Sequence, residues 1–166
     1  MTRSASADGG MSLVFADVSN KLTEYINSSE PGSVDALPHI LDGLAMSMHQ
    51  FTVVDEISEG MEQIEPEFSY TDIRGKITQK CPFLGMYNVV SPLSESIGEG
   101  DAVVGDSVDD LADIMLDLEK SRIMQKDMIE SDASYWIRFL YLNHWERHLR
   151  QLQYYLYELK VDTGDF

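Results

Sequence analysis

Apolar residues recur every three to four positions through most of the chain, which is the period of an amphipathic helix. The predicted helices cover about 12–27, 35–54, 71–80, 107–125 and 131–159. Glycines and prolines interrupt the pattern at 81–105, where only Met86 to Val90 has the composition of a short extended segment. The pattern therefore predicts an all-α protein, a compact antiparallel bundle of about five helices with an irregular segment at 81–105.

The length of 166 residues fits a single domain whose core needs no disulfide or structural metal. We expect 1–10 to be a disordered tail without a signal region, 11–160 to form the helical domain, and 161–166 to be a loose C-terminus. Cys81 is the single cysteine, so an internal disulfide is excluded, and we expect a packed, inert thiol. These features, and the absence of an apolar run of about 20 residues, lead us to expect a cytoplasmic protein.

The net charge of −17 changes which partners fit the chain. Phosphate backbones are bound by clustered Lys and Arg, and an acidic surface repels both nucleic acid and anionic lipid. We therefore expect no nucleic acid and no membrane as partners. Most of the basic residues lie within 120–160, directly after a stretch at 82–119 that has none. Neighbouring helices of opposite charge favour ion pairs between them.

The helix predicted at 107–125 carries a row of carboxylates beside its apolar stripe. The stripe consists of Val108, Leu111, Met115 and Leu118, with Ile114 at its edge. Asp110, Asp113 and Asp117 form the adjacent row. An acid in the first turn interacts favourably with the helix dipole, by about 0.3–1 kcal/mol, but Asp117 lies too far along the helix for this. Because like charges one turn apart repel each other, we expect a positive partner nearby.

The last predicted helix supplies positive groups beside its apolar face. That face is formed by Leu142, Trp145, Leu149, Leu152, Leu156 and Leu159. Arg138 falls inside it at a regular helical period, and His148 lies at its margin. A guanidinium removed from water needs a carboxylate partner. We therefore predict a buried structural network in which Arg138 pairs with Asp110, Asp113 or Asp117 and His148 joins the same cluster.

A metal site is the alternative interpretation of these residues. His144 and His148 are four positions apart on a helix, so both rings can reach one ion, and Asp113 and Asp117 could complete the shell. A divalent metal with an open position for water would support hydrolysis. The structural network is preferred at this stage, since His-x-x-x-His is a weak signal by itself, and no cofactor is then expected.

Other chemistry leaves little trace in the sequence. No phosphate-binding glycine loop, dinucleotide fingerprint or nucleophile elbow is present. Tyr154 and Tyr157 face away from the predicted apolar face, which suggests a second contact surface and hence a homodimer. No particular protein partner or small ligand is indicated.

Three segments of the charged helices resemble a bacterial protein family classed as a domain of unknown function. They are Asp109-Asp-Leu-Ala-Asp-Ile-Met-Leu-Asp-Leu118, Trp136-Ile-Arg138 and His144-Trp-Glu-Arg-His148. The resemblance covers about 86–150 and implies a small helical protein, without an activity, ligand or cofactor. From the residues and this resemblance we expect a non-catalytic interaction or regulatory module. The alternative is a metal-dependent, hydrolase-like helical bundle that uses His144, His148 and the paired aspartates.

Overall fold

A computed structural model of the chain describes residues 9–50, 64–90, 98, 100 and 102–164, with backbone alone for 9–13. The helices are α1 (Gly9–Asn27), α2 (Ala36–His49), α3 (Tyr70–Lys80), α4 (Ser107–Asp127), α5 (Glu130–Leu140) and α6 (Glu146–Thr163). A π-helical turn, Tyr141–Trp145, joins α5 to α6, so that 130–163 form one continuous helix. The described part of the chain is mainly helical, as the apolar period predicts.

The segment at 81–105 is not wholly irregular: Met86–Val90 is extended, as its composition suggests, but it pairs with a second strand that was not predicted. It contains β1 (Met86–Val90) and most of β2 (Ala102–Asp106), which pair antiparallel as a two-stranded ribbon. Tyr87 lies opposite Gly105 in the register. A methyl group added at Gly105 would come within 2.5 Å of the Tyr87 ring. Glycine at this position therefore allows the aromatic ring to lie across the neighbouring strand.

The start of α4 is fixed to the ribbon by two side chains. Asp106 caps the helix, since its Oδ1 accepts hydrogen bonds from the backbone N–H groups of Val108 (3.0 Å) and Asp109 (3.4 Å). Ser107 Oγ accepts from the N–H of Gly85 and donates to its carbonyl oxygen, both at 2.8 Å. These bonds set the position of the carboxylate row relative to β1.

The core is built around α4, which contacts α1, α3, α5, the π turn and α6. The stripe predicted on α4 is buried, and so are four of the six residues predicted for the apolar face of the last helix. The buried members of that face are Trp145, Leu149, Leu152 and Leu156. Leu142, by contrast, is 53% exposed.

The π turn explains why Leu142 leaves the core. Ile137, Tyr141, Trp145 and Leu149 are all buried and follow each other in steps of four. In a regular α-helix each residue turns by about 100°, so Leu149 would lie roughly 120° away from Ile137. The wider turn at Tyr141–Trp145 absorbs the additional residue and keeps both parts of the helix facing the core.

The first and last helices extend beyond the ranges predicted for them, 12–27 and 131–159. The first helix begins at Gly9, inside the predicted tail. The last helix continues to Thr163, inside the predicted loose C-terminus, and Gly164 ends it with φ 73°. Helix α2 ends at His49, and the remainder of its predicted range, 51–54, lies outside the described residues. Cys81 is buried, as expected. Among the described residues, no helix has both the length and the apolar character to span a membrane.

Candidate metal site

The carboxylate row of α4 faces the two histidines of the last helix. Asp110 and Asp117 are buried, with 5% and 1% exposed, and Asp113 between them is half-buried. The spacing of three and four residues places the three carboxylates on one side of α4. The π turn and the first turn of α6 bring His144 and His148 to this side.

His148 is held by a buried carboxylate. Its Nδ1 lies 2.7 Å from Oδ1 of Asp110, and the hydroxyl of Tyr87 donates to the other oxygen of the same carboxylate. An ionised carboxylate only accepts hydrogen bonds, so Nδ1 of His148 carries the proton that it donates. The other ring nitrogen, Nε2, lies 3.6 Å from Oδ2 of Asp113.

His144 is held in the same way by Asp117. Its Nδ1 lies 2.6 Å from Oδ2 of Asp117, whose other oxygen accepts from Nζ of Lys120 at 2.7 Å. About half of the His144 side chain is exposed. In both histidines, Nε2 is therefore the ring nitrogen that remains for another partner.

One ligand atom from each of Asp113, His144 and His148 lies within 4.8 Å of the other two. Tetrahedral zinc with bonds of about 2.0–2.1 Å separates its ligand atoms by roughly 3.3 Å. The 3.6 Å between His148 and Asp113 is already close to this value. The ring of His144 is about half exposed, and binding of an ion would require it to make the remaining adjustment.

The electrostatics of the cluster favour a positive charge in it. The hydrogen bond to Asp110 is the main cause that raises the pKa of His148, and the carboxylates of Asp113 and Asp109 add to it against the effect of burial. For Asp113 the main cause is burial, which raises the pKa of its carboxyl group, while the nearby histidines lower it. Burial and the neighbouring Asp110 carboxylate raise the pKa of Tyr87, so its hydroxyl stays neutral and remains a donor.

The predicted pairing of Arg138 with Asp110, Asp113 or Asp117 is not among the ion pairs of the described residues. Its guanidinium donates to the backbone carbonyl of Met48 at 3.4 Å. Within the described ranges, the ion pairs of the carboxylate row are made with His144, His148 and Lys120. The π turn accounts for the difference from the prediction. Arg138 precedes this turn, so the direction of its side chain cannot be extrapolated from the helical period of the residues that follow it.

Sequence reasoning considered Asp110, Asp113, Asp117 and the two histidines together, but it gave Tyr87 no role in the site. The sequence feature that could have indicated Tyr87 is the pairing of this aromatic residue with a glycine, Gly105, across two strands. That signal requires β2 to be predicted, and the two strands are separated by more than ten residues of glycine- and proline-rich chain.

No family model and no curated protein matches the chain. Among solved structures, the chain is similar to the crystal structure of protein BF1032 from Bacteroides fragilis, with a TM-score of 0.65 and 19% sequence identity. The match covers 90% of this chain and 89% of that one. The two proteins share a fold, and the resemblance to a family expected from the sequence segments stays a prediction.

Proposed function

We propose that the protein binds a divalent transition-metal ion, zinc in the first instance, through Nε2 of His144, Nε2 of His148 and the carboxylate of Asp113. The proposal depends on two carboxylates that contact the histidine rings on the side opposite to the proposed ion. Asp117 and Asp110 each engage Nδ1 of one histidine at 2.6–2.7 Å. Histidines that bind metal characteristically donate their other N–H to a carboxylate, which fixes the tautomer and the ring orientation.

The donor set indicates what such an ion would do. Two imidazole nitrogens and one carboxylate oxygen suit zinc, iron or manganese. Three protein ligands leave a position for water, as in catalytic zinc sites, whereas structural sites are closed by a fourth protein ligand. A bound zinc ion would supply an activated water near neutral pH, and we infer a metal-dependent hydrolase. Asp110, Asp117 and Tyr87 would orient the ligands, with no contact to the ion.

This proposal ranks the metal site above the purely structural network, because Arg138 was the reason to expect that network. A non-catalytic interaction or regulatory module, assembled as a homodimer, is the second candidate. It is supported by Tyr154 and Tyr157, which are 62% and 61% exposed on one side of α6. Large exposed apolar surfaces are characteristic of protein contacts.

The proposal includes three further inferences from the sequence. The net charge of −17 supports a protein that binds neither nucleic acid nor anionic membranes. The single, buried cysteine is consistent with the cytoplasm. We also infer that the helices form an antiparallel bundle, since α1 packs on α2 and α4 packs on both α3 and α6.

The site can be tested by titrating zinc into the protein in a calorimeter. The protein is purified without a histidine tag and is treated with a chelator beforehand. We expect one zinc ion per chain in the wild type and a loss of binding in His148→Gln and Asp113→Asn. His39→Gln is the matched control, because His39 is exposed on α2 and outside the cluster. Circular dichroism confirms that each variant is folded. Wild-type affinity in His148→Gln, or no zinc binding at all, would refute the proposal.

A further inference from the structure

A cavity of about 910 Å³ lies between the β-ribbon and the last helix. Its walls include Tyr87, Val90 and Val103 from the ribbon and Leu142, Arg147 and Tyr154 from the helix. The volume is within the range of small-molecule sites, which is roughly 300–1,000 Å³. The three proposed metal ligands do not line it, and it borders their site only through Tyr87, whose hydroxyl donates to Asp110.

The apolar walls of this cavity are open to water. Val90, Val103 and Leu142 are 54%, 54% and 53% exposed, although each is a side chain that normally gains from burial. Leu142 is exposed because the π turn rotates it out of the core. Apolar side chains grouped around a concavity, with a few polar groups among them, are typical of a ligand site.

Arg147 gives the cavity its chemical preference. Within 9–50, 64–90 and 102–164, the ion pairs of arginine and lysine are made by other residues, and none includes Arg147. The second guanidinium in the walls, that of Arg150, lies 3.5 Å from Glu146 and 3.1 Å from His49. In a chain with 29 acidic and 12 basic residues, Arg147 is distinctive: it has no carboxylate partner among the described residues, and its exposed side chain lines a mostly apolar cavity.

We propose that this cavity binds a small organic carboxylate with an apolar body. The carboxylate lies against the guanidinium of Arg147, which offers two parallel N–H donors to a planar oxyanion. The apolar body covers Val90, Val103 and Leu142. A singly charged head group matches the guanidinium of Arg147, whereas a doubly charged phosphate would leave a negative charge uncompensated beside Glu146.

Three probes with one apolar body and different head groups test this site: 4-phenylbutyrate, 4-phenylbutan-1-ol and 4-phenylbutylamine. Each is titrated calorimetrically into the full chain after chelator treatment, so that a carboxylate–zinc bond cannot imitate the result. We expect the carboxylate to bind about tenfold more tightly than the alcohol, from a charge-assisted hydrogen bond to arginine, and the amine to bind least.

Two surface variants locate the binding. Arg147→Gln should remove the preference for the carboxylate over the alcohol. Leu142→Ser should weaken the binding of the carboxylate and of the alcohol by the same factor. Lys21→Gln is the control: it removes a positive charge on α1, outside the walls of the cavity, and should change neither the affinity for the probes nor the preference for the carboxylate. Equal binding of the three probes, no binding of the carboxylate, or an unchanged preference in Arg147→Gln would each overturn the proposal. Since the protein is metal-free throughout, failure here is distinct from failure of the zinc site.

Discussion

Replacing Asp110 with asparagine tests the carboxylate that holds His148 without changing a proposed ligand. Asp110 is 5% exposed and accepts hydrogen bonds from Nδ1 of His148 and from the hydroxyl of Tyr87. Asparagine has one accepting oxygen in place of two, so one of these donors must face its NH₂ group. If that donor is His148, the ring is driven towards the tautomer with hydrogen on Nε2, which cannot bind metal.

The expected loss of zinc affinity in Asp110→Asn is about 10- to 100-fold, or ~1.4–2.7 kcal/mol, as for other carboxylates that orient a metal-bound histidine. Competition with a fluorescent zinc indicator near neutral pH measures it. Asp109→Asn is the matched control: it removes the same charge from the neighbouring residue, which is 46% exposed. A charge exposed to this extent is worth less than ~1 kcal/mol. Unchanged affinity in Asp110→Asn, or an equal loss in Asp109→Asn, would refute the assigned role.

Three further predictions concern the same cluster. Tyr87→Phe leaves a buried oxygen of Asp110 without its donor and should lower the free energy of unfolding in urea by ~1–3 kcal/mol; an unchanged midpoint would contradict this. Gly105→Ala places a methyl group within 2.5 Å of the Tyr87 ring and should cost a similar ~1–3 kcal/mol, but much less when Tyr87 is replaced by serine in the same protein. The hydrogen bond to Asp110 raises the pKa of His148, so protons compete with zinc at a higher pH than at an ordinary histidine. Zinc affinity should therefore fall as the pH decreases through that raised pKa, and a profile that is flat down to ~6.5 would disagree.

The positions of the helices could be predicted from the sequence because their burial is periodic. The stripe of α4 illustrates this, since Val108, Leu111, Met115 and Leu118 follow a regular α-helical period and are all buried. The ribbon could not be predicted in the same way. Val103 and Val104 are both exposed on β2, so the alternation of buried and exposed residues that identifies a half-buried strand is absent.

The site could be predicted only in part, for a related reason. Aspartates one turn apart on α4 required positive partners, and His144 and His148, which lie in and after the π turn, contact two of them. Arg138 was placed by a constant rotation per residue that was applied across that turn. The sequence has no proline or glycine at Tyr141–Trp145 to indicate a change of helical geometry. The turn begins and ends with buried aromatic residues, Tyr141 and Trp145, whose ring centroids are 4.6 Å apart.

The π turn also lets the last helix hold one residue more than a uniform α-helix could hold between Ile137 and Leu149. Deletion of one residue at 141–145 would leave these two side chains within roughly 20° of each other in a uniform α-helix, so both would still reach the interior. Straightening the turn without a deletion would instead rotate the half that follows it, including His148, by about 120° relative to Ile137. The surplus residue and the wide turn are therefore required together for the imidazoles to meet the carboxylates while Ile137 stays in the core.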